Sequence, residues 1–218
     1  MGPHPAAQWG LELAEPADRP RWLLAARLLS ERDPEERLAR AFARLESELG
    51  AGPGALLAAG PERAAAALAA EELRRAEALG VGLARMASGL QERHGGDLEA
   101  LASDCMDLEE LGGRLAGLAP GFGRAGVLRF LRPLREHWSA ARETPLADTA
   151  RAAALHWGLL AHGEDLEGEP AALRAACARA LPERDPVDVE AALERLGARA
   201  CRAGRPARCP LGEHCPAR

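Results

Sequence analysis

The chain has 218 residues and a formal net charge of −5, and it contains no Lys, Ile, Asn or Tyr. That length suits one large domain or two small ones sharing a cleft. The scarcity of β-branched and aromatic residues excludes a sheet-based architecture. Ala, Leu, Arg and Glu, which dominate, are good helix formers, so the expected fold class is all-α.

No run is long and apolar enough to span a bilayer, and the N-terminus lacks the basic and apolar pattern of an export signal. A cytoplasmic protein with no membrane partner is expected. The acidic net charge argues weakly against nucleic acid, but the charge is unevenly spread. Residues 110–142 hold six Arg against two Glu, a local +4, and residues 195–218 hold six Arg against one Glu, a local +5, leaving −14 on the rest. An acidic body with two arginine-rich segments is compatible with one DNA-facing surface, and equally with solvated basic faces.

Residues 1–19, rich in Pro, Ala and Gly, read as a loosely ordered arm before a body that begins near Pro20. Residues 22–30 (WLLAARLLS) are apolar almost all round, the pattern of a helix buried in a bundle. Asp33-Pro34 reads as a cap and first turn. Leu38, Ala41, Phe42 and Leu45 then repeat at helical spacing until residues 50–54 end the helix. Further helices start at Pro61, at Glu71 and near Leu83, with Gly80, Gly82, Gly95 and Gly96 as breaks. Residues 108–118 and 124–138 flank a glycine turn. Residues 148–161, 170–181 and 187–200, the last after Asp185-Pro186, complete about ten helices with no strand and no internal repeat.

The turn Ala119-Pro120-Gly121-Phe122-Gly123 joins two amphipathic helices. Two glycines there allow a tight reversal with exposed N–H groups. The next helix begins at once and adds its positive end, an arrangement that can hold a phosphate without reading its base. An ordinary helix–helix turn is the alternative.

Of five cysteines, Cys201, Cys209 and Cys215 crowd the last 18 residues with gaps of seven and five. That crowding raises a metal or cluster site. Cys105, on a helix far from the tail, reads as a core residue.

The turn resembles the helix-hairpin-helix of endonuclease III and its relatives, typically LPGVGRKTA, which stands here as Ala119-Pro120-Gly121-Phe122-Gly123-Arg124-Ala125-Gly126-Val127. Flanking segments match in the same order. Residues 23–45 look like that family's LLSxQTxD region and residues 77–101 like its next two helices. Residues 145–160 look like its VDTHVxRVxxRLGL, and residues 189–217 like its cluster-bearing tail. Collinear matches over residues 22–217 carry more weight than any one motif.

The resemblance implies an all-α, two-domain DNA glycosylase fold. Residues 1–21 would form an arm packing with the second domain, and residues 22–139 a helical barrel with the hairpin at about 107–138. Residues 140–218 would form a second helical domain with a cysteine loop at 201–215. It implies an endonuclease III-like base-excision repair protein, acting as a monomer on double-stranded DNA with a damaged or mismatched base. Pro120, Gly121, Phe122, Gly123, Arg124 and Gly126 would face DNA. Arg32 stands where the family has its base-displacing glutamine, and Val81 would be offered to the gap left by a flipped base.

Asp148, in LADTARAA, matches the family's catalytic aspartate, and a carboxylate beside a developing oxocarbenium centre is what base excision needs. A plain helix N-cap is the other reading of Asp148. The family's nucleophilic lysine is replaced by Ala125, and the histidine after Asp-Thr by Ala150. Arginine stays protonated and cannot form a Schiff base, so lysine-dependent strand cleavage is excluded and a monofunctional, water-using glycosylase is expected. A catalytically inactive DNA-binding or regulatory protein that kept the fold is the alternative.

The family's loop binds a [4Fe-4S] cluster through four cysteines. Here Cys201, Cys209 and Cys215 match and one is missing, with Cys177 or His214 as the substitutes to consider. The same residues leave two other readings open, a cluster-free loop and zinc held by Cys201, Cys209, Cys215 and His214.

Overall fold

A computed structural model describes residues 2–161, 163, 168–201 and 209. Every regular element among them is helical. None of these helices is long and apolar enough to cross a membrane. The chain divides into two compact units, Trp9–Arg142 in one, and Met1–Gln8 with Glu143–Arg218 in the other. The arm expected over residues 1–21 is thus shared: its first eight residues, with the short helix α1 (Pro5–Gln8), group with the C-terminal half.

The larger unit is built around α2 (Arg19–Leu28), in which Trp22, Leu23, Ala25, Ala26 and Leu28 are wholly buried. Burying this apolar stretch removes several large side chains from water, each worth about 1.5–3 kcal/mol. The indole N–H of Trp22 would be costly to bury unpaired, and it donates to the Phe130 carbonyl at 3.0 Å. The segment before α2 is ordered: Leu11 and Leu13 are buried, and the Leu13 carbonyl accepts from Arg19 Nε at 2.9 Å.

Helix α3 (Glu35–Leu49) buries Leu38, Ala41, Phe42 and Leu45, the stripe read from the sequence. Its cap differs from expectation. The capping position is Pro34, with no side-chain bond, and the Asp33 carboxylate turns instead towards Arg74 and Arg37, at 3.6 and 3.8 Å. Gly50 stops α3 at a φ of 96°. The glycines that follow do not form a loop, because α4 (Gly52–Ala59) starts within them; α5 (Pro61–Ala69) comes next.

Of the glycines expected to break the following stretch, Gly80 and Gly82 lie inside one 19-residue helix, α6 (Ala76–His94). Tertiary packing explains them. A Cβ on Gly80 would stand 2.6 Å from the Ala65 backbone nitrogen, so α5 and α6 touch backbone to backbone there. A Cβ on Gly89 would stand 2.4 Å from the Leu118 carbonyl oxygen. These residues are contact points rather than breaks. Gly95, with φ 61°, does end the helix.

After α7 (Leu98–Ser103), Asp107 caps α8 (Leu108–Gly117) by accepting from the Glu110 N–H at 2.9 Å, and Glu110 accepts in return from the Met106 N–H at 2.9 Å. The glycine turn follows, then α9 (Arg124–Leu131), which passes into a 3-10 turn at Arg132–Leu134 because Pro133 cannot continue it.

The smaller unit packs α10 (Asp148–His156), α11 (Glu169–Ala180) and α12 (Pro186–Leu196) around Leu146, Ala150, Ala153, Leu160, Leu173, Cys177 and Leu196. Asp185 caps α12 by accepting from the Val187 N–H at 2.8 Å, as its position before Pro186 suggested. A π turn, Gly197–Cys201, continues from α12. The N-terminal segment is tied to α12 by the His4 N–H, which donates to Asp188 at 2.6 Å, and by Arg195, which donates to the Gly2 carbonyl at 2.6 Å. Buried Glu169 accepts from Arg151 at 2.6 Å, so its charge is compensated.

Candidate nucleic-acid interface

A cavity of about 640 Å³ opens on the larger unit where the end of α2, the start of α6 and the glycine turn meet. Four of the residues singled out from the sequence, Arg32, Val81, Pro120 and Gly121, lie on its wall. They come from three segments far apart in the chain.

The turn itself separates the roles of its glycines. Gly121 has a φ of 85°, which favours glycine strongly, and the Phe122 N–H closes the turn on the Ala119 carbonyl at 3.2 Å. Gly123 has an ordinary φ of −78°, and a Cβ there would meet nothing within 4 Å. Neither backbone strain nor packing demands glycine at 123. Its bareness leaves the uncapped start of α9 open to approach, where free N–H groups and the helix dipole favour an anion. Arg124 is exposed beside it.

Two of the residues expected to face DNA are core residues. The Phe122 ring is 1% exposed. Gly126 is buried, and a Cβ on it would stand 2.9 Å from both that ring and Ser30 Oγ. Gly126 therefore packs the hairpin against the α2 end, and neither side chain offers a surface to a ligand.

The cavity's charge comes from residues that sequence reasoning passed over. Arg27, Arg74, Arg75 and Arg85 join Arg32 on the wall, against Glu31 and Asp33. The arginine-rich stretch 110–142 supplies none of them. There, Arg114 pairs with Glu110 at 2.6 Å and Arg129 donates to the Leu29 carbonyl at 3.0 Å. The available signal was Arg27 itself, a lone charge in the otherwise apolar run 22–30, and the adjacent pair Arg74-Arg75 just before α6. Of the other basic stretch, most residues lie outside the described ones, and Arg195 is bound to the N-terminal segment.

Asp148 belongs to the smaller unit, where it is the exposed first residue of α10. The capping position is Ala147, with no side-chain cap, so the N-cap reading of Asp148 does not hold. Its carboxylate sits in the first turn and makes no capping bond. Ala150, where the family has histidine, is fully buried.

Cys177 and Cys209 are buried in the apolar cluster of the smaller unit and Cys201 packs against it. Burial pushes the Cys177 thiol up. Cys215 and His214 lie outside the described residues. Among the described residues, no three His, Cys, Asp or Glu side chains converge as a metal site would require. Cys105 is buried in the larger unit, as expected of a core residue.

No protein-family model and no curated protein matches the chain.

Proposed function

We propose that this protein is a DNA base-excision repair protein of endonuclease III-like type, a monofunctional glycosylase that removes a base with water and leaves the strand uncut. The observation that carries the reading is the cavity that gathers Arg32, Val81, Pro120 and Gly121. These are positions assigned to DNA by resemblance alone, and they share one arginine-bearing wall. A net positive cavity beside an open helix start suits a phosphate backbone. The exposed Asp148 carboxylate supplies the negative charge that an oxocarbenium-like sugar requires. With no lysine in the chain, no side-chain amine exists to form an imine with the opened sugar.

A second reading, a DNA-binding protein without catalysis, is favoured by the composition of the cavity wall: no aromatic side chain lines it to stack on an extruded base. Purified protein incubated with duplexes bearing a panel of damaged and mismatched bases distinguishes the two. Excision that shows as a strand break only after alkali supports the glycosylase. Tight duplex binding with every base intact supports the silent binder, and the absence of duplex binding ends both. The chemistry proposed takes no step through a cluster; iron and acid-labile sulfide measured on an anaerobic preparation test the tail cysteines separately.

A further inference from the structure

Arg27 is 8% exposed and lies on α2 among wholly buried Leu23, Ala25, Ala26 and Leu28. Its Nη1 donates to Glu31 Oε1 at 2.8 Å, one turn on, while its Nε has no hydrogen-bond partner. Nη2 faces two glycines: a Cβ on Gly82 would stand 3.8 Å from it, and one on Gly121 would stand 3.9 Å from it. Nε and Nη2 make up one edge of the guanidinium plane. That edge, turned away from Glu31, lies at the cavity wall with nothing to receive its N–H groups.

The two glycines differ in what they explain. Gly121 owes its identity to its positive φ. Gly82 is inside α6, where alanine is the more favourable residue, and a Cβ there would meet only Arg27 within 4 Å, at ordinary contact distance. Alanine would fit, and it would cover the Arg27 edge. A buried donor without an acceptor is costly, and the Nε–Nη2 edge of a guanidinium matches two oxygens of a phosphate. Around it stand Arg32, Arg74, Arg75 and Arg85. Arg74 and Arg75 have side chains 70% and 68% exposed and reach Asp33 and Glu31 only at 3.6 and 3.9 Å, so an incoming anion can draw them over.

We propose that this cavity is a phosphate-binding pocket: Nε and Nη2 of Arg27 hold two oxygens of one phosphate at its floor, and Arg75 and Arg85 close over it. The inference deepens the DNA-binding reading above and rests on the same cavity, but it makes Arg27, not the glycine turn, the fixed point of the grip. The phosphate belongs either to a strand's backbone or to a free phosphate group, and the chemistry of recognition is the same.

The test titrates inorganic phosphate into the full chain and follows the arginine Nε–H resonances by NMR. The resonance missing from the R27Q/E31Q variant is expected to shift and saturate in the wild type. That double variant exchanges the ion pair for an amide pair, leaves no unpaired buried charge, and is expected to bind phosphate at least tenfold more weakly. Gly82→Ala keeps Arg27 and Glu31 in place, sets a methyl against the edge, and is expected to weaken phosphate severalfold without lowering the melting temperature; it carries the test alone if the double variant does not fold. Equal phosphate affinity in all three proteins overturns the inference.

Duplex DNA titrated at several salt concentrations separates the sources. A strand phosphate in the pocket lowers the salt slope by about 0.9 in R27Q/E31Q. A pocket for free phosphate leaves that slope unchanged while inorganic phosphate affinity still falls. Failure of the two readings is distinguishable. Base excision with Arg27-independent phosphate binding removes the pocket and leaves the repair function, whereas Arg27-dependent phosphate binding without duplex binding does the reverse.

Discussion

The carbonyl oxygen of Thr149 occupies the space that a side chain at position 197 would need: a Cβ on Gly197 would stand 1.8 Å from it. The first turn of α10 and the start of the π turn therefore meet with no side chain between them, and Asp148 precedes the residue that makes the contact. Gly197→Ala is expected to force the two segments apart and to destabilise the protein by about 1–3 kcal/mol, as overpacking does. Urea unfolding of the variant checks the magnitude. A variant as stable as the wild type would show that the two segments do not make this contact.

Glycines within helices are expected to respond to alanine with opposite signs. At an open helical position the exchange stabilises by about 0.5–1 kcal/mol, because the unfolded chain loses freedom. Gly113, in α8, has nothing within 4 Å of where a Cβ would go, and Gly113→Ala should raise the melting temperature. Gly80 faces the Ala65 backbone nitrogen at 2.6 Å, and Gly80→Ala should lower it. Thermal melts of the two variants, measured side by side, decide whether close backbone approach is what glycine serves at position 80.

His94, at the end of α6, titrates below its ordinary value of 6.5. Burial disfavours the charged imidazole first, and Arg114 and Arg93 repel it, against a smaller attraction from Asp104. In the unfolded chain the imidazole takes up its proton more readily. Stability is then expected to fall as pH drops from about 6.5 towards the lower native value, and this group contributes nothing to the pH dependence above that window. His94→Gln should flatten that part of the profile. Denaturant midpoints measured at intervals through this range, for wild type and variant, provide the check; parallel curves would remove His94 from the account.

Asp148→Asn keeps the size and position of the side chain and removes its charge. Under the proposed chemistry, excision falls by a factor on the order of 10²–10³, the range seen when a transition-state electrostatic partner is lost, while salt-sensitive duplex binding is unchanged. Single-turnover excision and a binding isotherm on the same duplex separate the two quantities. Loss of binding in step with loss of excision would assign Asp148 to the grip on DNA. Borohydride treatment should trap no side-chain adduct, since no lysine is available to form one.

Much of the fold was legible because its causes are local. The apolar run around Trp22, the stripe from Leu38 to Leu45 and the cap at Asp185 each follow from neighbours within a few turns, and each stands where the pattern places it. The class, all-α, follows from composition. Reading failed where a residue answers to a distant part of the chain. Gly80 looked like a break because its partner, Ala65, is on another helix. Asp33 looked like a cap, but its carboxylate faces Arg74 and Arg37. The arginines of the cavity lie in two segments some forty residues apart, so no short window of sequence could show them as a group.

What the amino-acid sequence determined by itself is therefore the helical class, most helix positions, the glycine turn at 119–123 and the impossibility of lysine chemistry, since each depends only on residue identity or on spacing within a few turns. The tertiary structure decided which glycines are contacts and which are turns. It also decided that Phe122 and Gly126 serve the core, and that Arg27 turns an unpaired guanidinium edge towards a cavity. Those outcomes depend on which distant backbones come within a few ångströms of each other, a property of packing that no local pattern encodes.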